Sequence, residues 1–502
     1  MEQDVVVGID SSTTATKAIA WDRTGNKIAE GQSPLQLISP VPNYYEQNPD
    51  DWWTSMADSL LKLTSQIDND RITAIAIANQ RETFAGLNKD GLPVRPAITW
   101  LDERCKYLVD KFAALIGEDR IHRITGKPKD YAPVAYRLDW MKENEKDLYK
   151  KVTKFCDVNT YLVKMLTGHY RTSWASADPM GIFDLESKTW SVEILRQLDI
   201  TPGQLPEAYA PGTVLGYVNK DASAATGLRT GTIVAAGGGD GQAAGLGVNA
   251  LMPDRAYLNL GTAIVSGVYT KEYIADRNFR TMASCSEEGY FCETSLRSGS
   301  FLIDWLIQKV LGIDPAIDPG IYRQMEEEAT QIKPGSEGLM VLPYWNAVMN
   351  PYWDPGAHGC ILGFRSGHCR GHLYRAILEG IAYEQSLATK AVEETTGIMT
   401  EGFAVIGGGA KNKLWCRIIA DTSGKKVLKL LSDEASSLGA GISAAVAAGW
   451  FSTFKEAAGN MVHVIDVIKP DAKNADHYRQ QLDEYKKIYP AIKNIGRQPL
   501  KY

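Results

Sequence analysis

At 502 residues the chain is longer than one hydrophobic core can organise. Single cores stop growing at roughly 250 to 300 residues, so two domains are expected. A composition of 44% hydrophobic and 23% charged residues excludes a disordered or membrane-embedded chain, and a net charge of -6 without any basic run argues against nucleic acid or an anionic membrane as partner. A small-molecule partner is expected instead. No stretch reaches the length of a membrane span, and the opening MEQDVVVG lacks the regions of a signal peptide, so a cytoplasmic location is expected. Cysteines 105, 156, 285, 292, 360, 369 and 416 are scattered without a C-x-x-C, which fits reduced thiols. His358, Cys360, His368, Cys369 and His372 are close in sequence but not at zinc-ligand spacing, and read as a surface turn entering a helix.

In chain order, VVVGIDSSTTATKAIAWD reads as a strand (Val5 to Ile9), a hydroxyl-rich turn and a second strand (Thr16 to Trp21), followed by a turn and a third strand. Pro49 to Ile67 reads as a helix capped by Asp50, with Trp52, Met56, Leu60, Leu63 and Ile67 at helical spacing. RITAIAIANQRETF starts as a continuously apolar strand buried on both faces, which places Gln80, Arg81 and Glu82 just beyond its carboxyl end. Open α/β sheets bind ligands at that end. Further on, GTIVAAGGG runs into DGQAAGLG, a helix start, and AYLNLGTAIVSGVY forms a second hairpin with Gly261 and Thr262 at its tip. FAVIGGGAKNKLWCRIIADTSGKKVLKLL gives strand, glycine turn, helix and strand. The chain thus reads as two similar α/β halves, residues 1–247 and 248–502, each offering a polar hairpin tip.

Tight turns aim successive N–H dipoles into one concavity, and Ser or Thr adds donors, so DSSTTATK can cradle an anion. The same residue types also form ordinary solvated turns. Asp10 tips the balance, because an acid ending an apolar strand is poorly solvated unless it holds a cation. Lys17 could add neutralising charge from beyond the turn. No G-x-x-x-x-G-K-[ST] is present, which argues against a P-loop. Gly408 and Gly409 lie between a strand and a helix, where backbone can approach a ligand or pack closely. Asp240 follows three glycines at a helix start, and can act as an N-cap, as a carboxylate that orients a hydroxyl and accepts its proton, or as both.

The ordered set GIDSSTTATK, NQRETF, ITWLDER, RLDWMKEN, GGGDGQAAGLG, LNLGTA, GCILGF, HLYRAILEGIAYE and GGGAKNKLWCRIIADTSGKKV resembles the FGGY family of carbohydrate kinases over nearly the whole chain. The resemblance implies two ribonuclease-H-like, actin-like domains closing over ATP, Mg²⁺ and a sugar or polyol. It implies Asp240 as catalytic base, Asp10 near the metal, and Thr13, Thr14, Lys17, Gly261, Thr262, Gly408, Gly409 and Asn412 about the nucleotide. Gln80, Arg81, Glu82, Trp100, Asp102, Asp240 and Gln242 fall where the family binds substrate. Ser12 stands where glycine is common, and Arg137 where the first family signature usually has lysine. The NQRET segment is similar to that of glycerol kinases, while VRPAITWLDER and GGGAKNKLW look more like xylulokinases. A ketopentose such as D-xylulose is therefore the expected acceptor, with glycerol, a tetritol, a tetrulose or another ketose as alternatives. An actin-like ATPase without a sugar substrate is the alternative from another class, and a homodimer is left open.

Overall fold

The computed structural model describes residues 4–252 and 254–495. The apolar run at the start forms β1 (Val5–Ser11), which turns through residues 12–14 into β2 (Ala15–Trp21) and continues to β3 (Lys27–Pro34). Helix α1 (Pro49–Thr64) covers this hairpin with Trp52, Met56, Leu60 and Leu63 buried. Its cap is Asn48 rather than Asp50: the Asn48 side chain accepts from the Asp50 amide, and Pro49 opens the helix, where its missing N–H costs nothing. The small-residue run 72–79 forms β4 (Ile72–Asn79), buried along nearly its whole length. With β5 (Val214–Tyr217) and β6 (Ile233–Gly239) it completes a six-stranded sheet of order β5-β6-β4-β1-β2-β3, and α2 (Asp240–Gly247) leaves the end of β6.

The second half repeats this plan. Strands β7 (Arg255–Leu260), β8 (Ile264–Thr270), β9 (Arg280–Ala283), β10 (Tyr290–Leu296), β11 (Gly402–Ile406), β12 (Lys426–Leu430) and β13 (Val464–Ile468) form a sheet of order β9-β10-β8-β7-β11-β12-β13. Along β3-β2-β1-β4-β6 the pairings run antiparallel, antiparallel, parallel, parallel, and along β10-β8-β7-β11-β12 they run the same way. The repeat read from the sequence as two similar halves is present in the topology. Helix α3 (Arg370–Thr396) packs in the second half, α4 (Lys413–Ser423) joins β11 to β12, and α5 (Ala435–Ala447) follows β12 as α2 follows β6.

These two equivalent helices pack on each other between the sheets. Their contact is made by backbone: a Cβ on Gly439 would lie 1.9 Å from the Ala243 carbonyl oxygen, and one on Gly247 1.9 Å from that of Ala435. Although α5 belongs to the second sheet by sequence, it also presses on the first. Ser437 donates to the Gly8 carbonyl at 2.9 Å and accepts from the Trp21 indole at 3.2 Å. The mixed α/β architecture of two sheets with a repeated topology agrees with the expected fold class. Among the described residues no helix is long and apolar enough to cross a membrane.

Alanine in place of glycine within a helix normally gains stability through helix propensity. At Gly439 the backbone contact reverses the sign: Gly439→Ala is expected to cost about 1–3 kcal/mol, as overpacking does. Thermal unfolding reads this as a lower Tm, and a raised Tm would contradict the close packing of α2 on α5.

Candidate functional site

β1, β4 and β6 are parallel neighbours, so their carboxyl ends lie side by side, and polar residues of interest stand at or just beyond each. At the end of β1, Asp10 pairs in register with Lys17 of β2 and Ala78 of β4. Its Oδ1 is buried without a hydrogen-bond partner. Burial, then the nearby carboxylates Asp240 and Glu434, push its pKa up to about 7 against the opposing charge of Lys17. The Lys17 ammonium is 2.5 Å from Glu434, at the start of α5, so it ties the two halves together. In the turn beyond Asp10, Ser12 donates to the Ala15 carbonyl at 2.8 Å, and no residue from 11 to 14 has a positive φ. Serine therefore serves where glycine is common. Thr14 is exposed at the tip, as is Thr262 at the tip between β7 and β8. This second tip is braced by the Gly299 amide on the Thr262 carbonyl (2.8 Å) and the Ser300 amide on the Gly261 carbonyl (2.9 Å).

Beyond β4 the chain passes through Gln80, Arg81 and Glu82 before the short strand Phe84–Leu87. Glu82 adopts φ +50°, a left-handed conformation uncommon for a residue other than glycine. The buried Arg137 holds this bend by donating to the Glu82 and Ala132 carbonyls. That gives the departure from the family signature a structural role.

Arg81 is the hub of the site. Its Nε is 3.1 Å from Asp240 Oδ1, its Nη1 is 2.9 Å from Glu293 Oε2, and Gln242 Oε1 accepts from Nη1 at 3.5 Å. Glu82 is 3.1 Å from Arg280 Nη1, and Arg280 is 2.6 Å from Glu293. Tyr257 donates to Glu293 at 2.5 Å. Burial alone would push the Glu293 carboxyl up, but Arg280 and Arg81 together outweigh it and hold it at about 2. For Glu82 the balance falls the other way: burial raises its pKa, with Arg280 and Arg81 opposing. Asp240 is the first residue of α2, with Gly239 in the cap position and the Gly241 amide donating to Oδ1 at 2.7 Å. Enclosure raises its pKa and Arg81 opposes. Its side chain is 40% exposed, and Oδ2 carries no protein hydrogen bond.

The other predicted substrate residues divide. Trp100 is 41% exposed, and its indole donates to Thr13 Oγ1 at 2.8 Å, which joins the sugar side to the first hairpin tip. Gln80 is buried and fully engaged: its amide donates to Gln47 at 2.8 Å and its oxygen accepts from Thr13 and Thr83. Asp102 is buried with both oxygens occupied by Arg104 and the Tyr45 amide, so it faces the protein rather than the cleft. Gln242 lies wholly buried beneath Arg81, donating to the Ala175 carbonyl at 2.9 Å. In the second half Gly408 is exposed, and a side chain there would meet nothing. Gly409 instead packs against Trp415 and Leu260, while Asn412 caps α4 through the Trp415 amide (2.7 Å) and donates to Tyr374. Sequence reasoning missed Arg280, Glu293 and Tyr257. The available signal was an acid inside the buried strand β10, the same kind of signal that singled out Asp10.

Family models agree with this architecture. The model for the FGGY family of carbohydrate kinases, N-terminal domain, matches residues 5–247, and that for the C-terminal domain matches residues 256–448. The chain belongs to the FGGY family and is a carbohydrate kinase of that family, whose members use ATP as phosphoryl donor. It is 28% identical to xylulose kinase from Bacillus subtilis over 502 residues, covering 98% of each chain. It is also 28% identical to glycerol kinase 2 from Pseudomonas aeruginosa, covering 90% of each. The crystal structure of gluconate kinase from Lactobacillus acidophilus superposes with a TM-score of 0.91 at 24% identity, over 98% of this chain and 99% of that one.

Gly241 separates Asp240 from Gln242, and the geometry gives a reason. A Cβ there would lie 3.0 Å from Arg81 Cζ and Nη2, so the guanidinium would have to move by a few tenths of an ångström. Gly241→Ala is expected to raise the acceptor KM several-fold while leaving the ATP KM and Tm near those of the parent. An unchanged acceptor KM would contradict the placement of Arg81 as hub.

Proposed function

We propose that the chain transfers the γ-phosphoryl group of ATP to a hydroxyl of a neutral polyhydroxylated acceptor, a ketopentose such as D-xylulose, with Asp240 as the base. The observation that carries this reading is the free Oδ2 of a partly exposed carboxylate whose other oxygen is fixed by Arg81 and the Gly241 amide. A carboxylate so held can align a hydroxyl and accept its proton as the new P–O bond forms, and a raised pKa makes it a better base. Phosphoryl transfer has a loose transition state, so the remaining task of the protein is positioning and charge stabilisation. In this reading the hairpin tips at Thr13 and Thr14 and at Gly261 and Thr262 donate to phosphate oxygens. Gly408 allows close approach of the nucleotide, and the exposed ring of Trp100 forms a wall for the acceptor.

Three names among the similar proteins span glycerol, a ketose and a sugar acid, and charge discriminates between them. Around the acceptor position the guanidiniums of Arg81 and Arg280 are each already paired, and the carboxylates of Glu82, Asp240 and Glu293 outnumber them. An acceptor carrying a carboxylate would meet repulsion from these acids while Arg81 and Arg280 are already paired, whereas hydroxyls find both donors and acceptors. This favours xylulose-like or glycerol-like acceptors over gluconate-like ones. The xylulokinase-like segments around ITWLDER and GGGAKNKLW favour the ketopentose.

Asp10 offers one carboxylate donor to a divalent cation, although among the described residues no three His, Cys, Asp or Glu side chains are gathered as a metal site. Asp10 presents a buried, unpartnered oxygen, which a hard cation would satisfy directly or through water. Mg²⁺ bound there would neutralise charge on the transferring phosphate. Asp10 would hold it, while Lys17 is committed to Glu434.

Asp240→Asn is expected to leave ATP binding, measured by calorimetric titration, nearly intact while lowering kcat by about 10²–10⁴, the usual contribution of a general base. Near-normal turnover would overturn the role. Asp10→Ala is expected to abolish turnover yet leave the ligand-free protein at least as stable as the parent, because it removes an unsatisfied buried carboxylate. A clear fall in Tm would show that Asp10 serves the fold.

A further inference from the structure

Arg280 and Glu293 belong to none of the motifs that mark the family in this sequence, yet they complete the acceptor pocket from the opposite half. They face each other in register across the antiparallel pair β9 and β10. Their side chains leave the second sheet and meet the loop after β4 of the first: Glu293 Oε2 on Arg81 Nη1 at 2.9 Å, and Arg280 Nη1 on Glu82 Oε1 at 3.1 Å. The Glu293 side chain is entirely buried and that of Arg280 nearly so. We propose that Arg280 and Glu293 are positioning residues that set acceptor recognition: they fix the directions of Arg81 and Glu82, and thereby make the pocket complete only when the two halves meet. This assignment rests on the reading of Arg81, Glu82 and Asp240 as the groups facing the acceptor.

The physical argument starts from side-chain freedom. Arg81 has a long, flexible stem, and a single contact with Asp240 would leave its fork free to rotate. Glu293 anchors the far edge of the fork, which leaves Nε on Asp240. Glu82 sits in a strained bend, where a desolvated carboxylate needs a cation to stay ionised, and Arg280 supplies one from outside its own domain. A network serving stability alone would gain little, because buried ion pairs are often no better than apolar residues of the same shape. Its presence where the two halves meet is explained if the ordering it gives is used on the acceptor. The chemical class that follows is an uncharged, vicinally hydroxylated acceptor, since both guanidiniums are consumed by the network.

The test is steady-state kinetics on the full chain with a ketopentose and a polyol as acceptors. In Arg280→Lys a single ammonium replaces a fork that spans Glu82 and Glu293. The acceptor KM is expected to rise at least about tenfold while the ATP KM stays unchanged. A paired variant, R280Q/E293Q, removes one charge of each sign and leaves Arg81 its contact with Asp240. It is expected to show the same split. An acceptor KM within about twofold of the parent in both variants, or equal rises in both KM values, would overturn the assignment. Absence of acceptor-dependent turnover in the parent enzyme would strike instead at the roles given to Arg81, Glu82 and Asp240, so the two failures are distinguishable.

Discussion

The Arg81 guanidinium, held between Asp240 and Glu293, is the contact on which the rest of the site depends. It collects residues from three separate stretches of chain: the loop after β4, the start of α2, and a strand of the second half. Removing one member of such a buried network leaves another charge uncompensated, so its parts are fixed jointly rather than one by one. Around it lie the consequences. Gly239 and Gly241 lack side chains where the Arg81 chain passes, Glu82 accepts a strained backbone to reach Arg280, and Arg137 holds that bend from behind.

A second constraint sets how the two halves can face each other. Helices α2 and α5 occupy equivalent places in the two repeats and touch through backbone at Gly439 and Gly247. A contact made by small residues fixes the distance between the two helices closely. Two charged contacts, Lys17 to Glu434 and Arg81 to Glu293, also join the halves. Asp240 begins α2, so the proposed base is carried on the helix about which the halves meet.

Much of this was legible in the sequence, for physical reasons. Short continuous apolar runs at 5–9, 72–79 and 402–406 fit strands buried on both faces, and they point to the segments beyond their ends as the place for a site. Asp10 declared itself as an acid with no solvation. What spacing does not reveal is the direction of a polar side chain. Asp102 and Gln242 stand in the expected segments, yet Arg104, two residues along, takes the first, and Arg81 covers the second. Glu293 remained hidden because Thr294 and Ser295 beside it make its strand look half polar. The glycines and alanines of α5 concealed a contact with the first sheet that only the folded chain displays.

The central claim is that a cleft built on Arg81, with its cations already paired, phosphorylates a neutral acceptor. Initial rates of ADP formation with a panel of ketopentoses, polyols and sugar acids test it most directly. The account predicts strong stimulation by an uncharged member, foremost D-xylulose, and little by a sugar acid. Preferential stimulation by a sugar acid such as gluconate would contradict it.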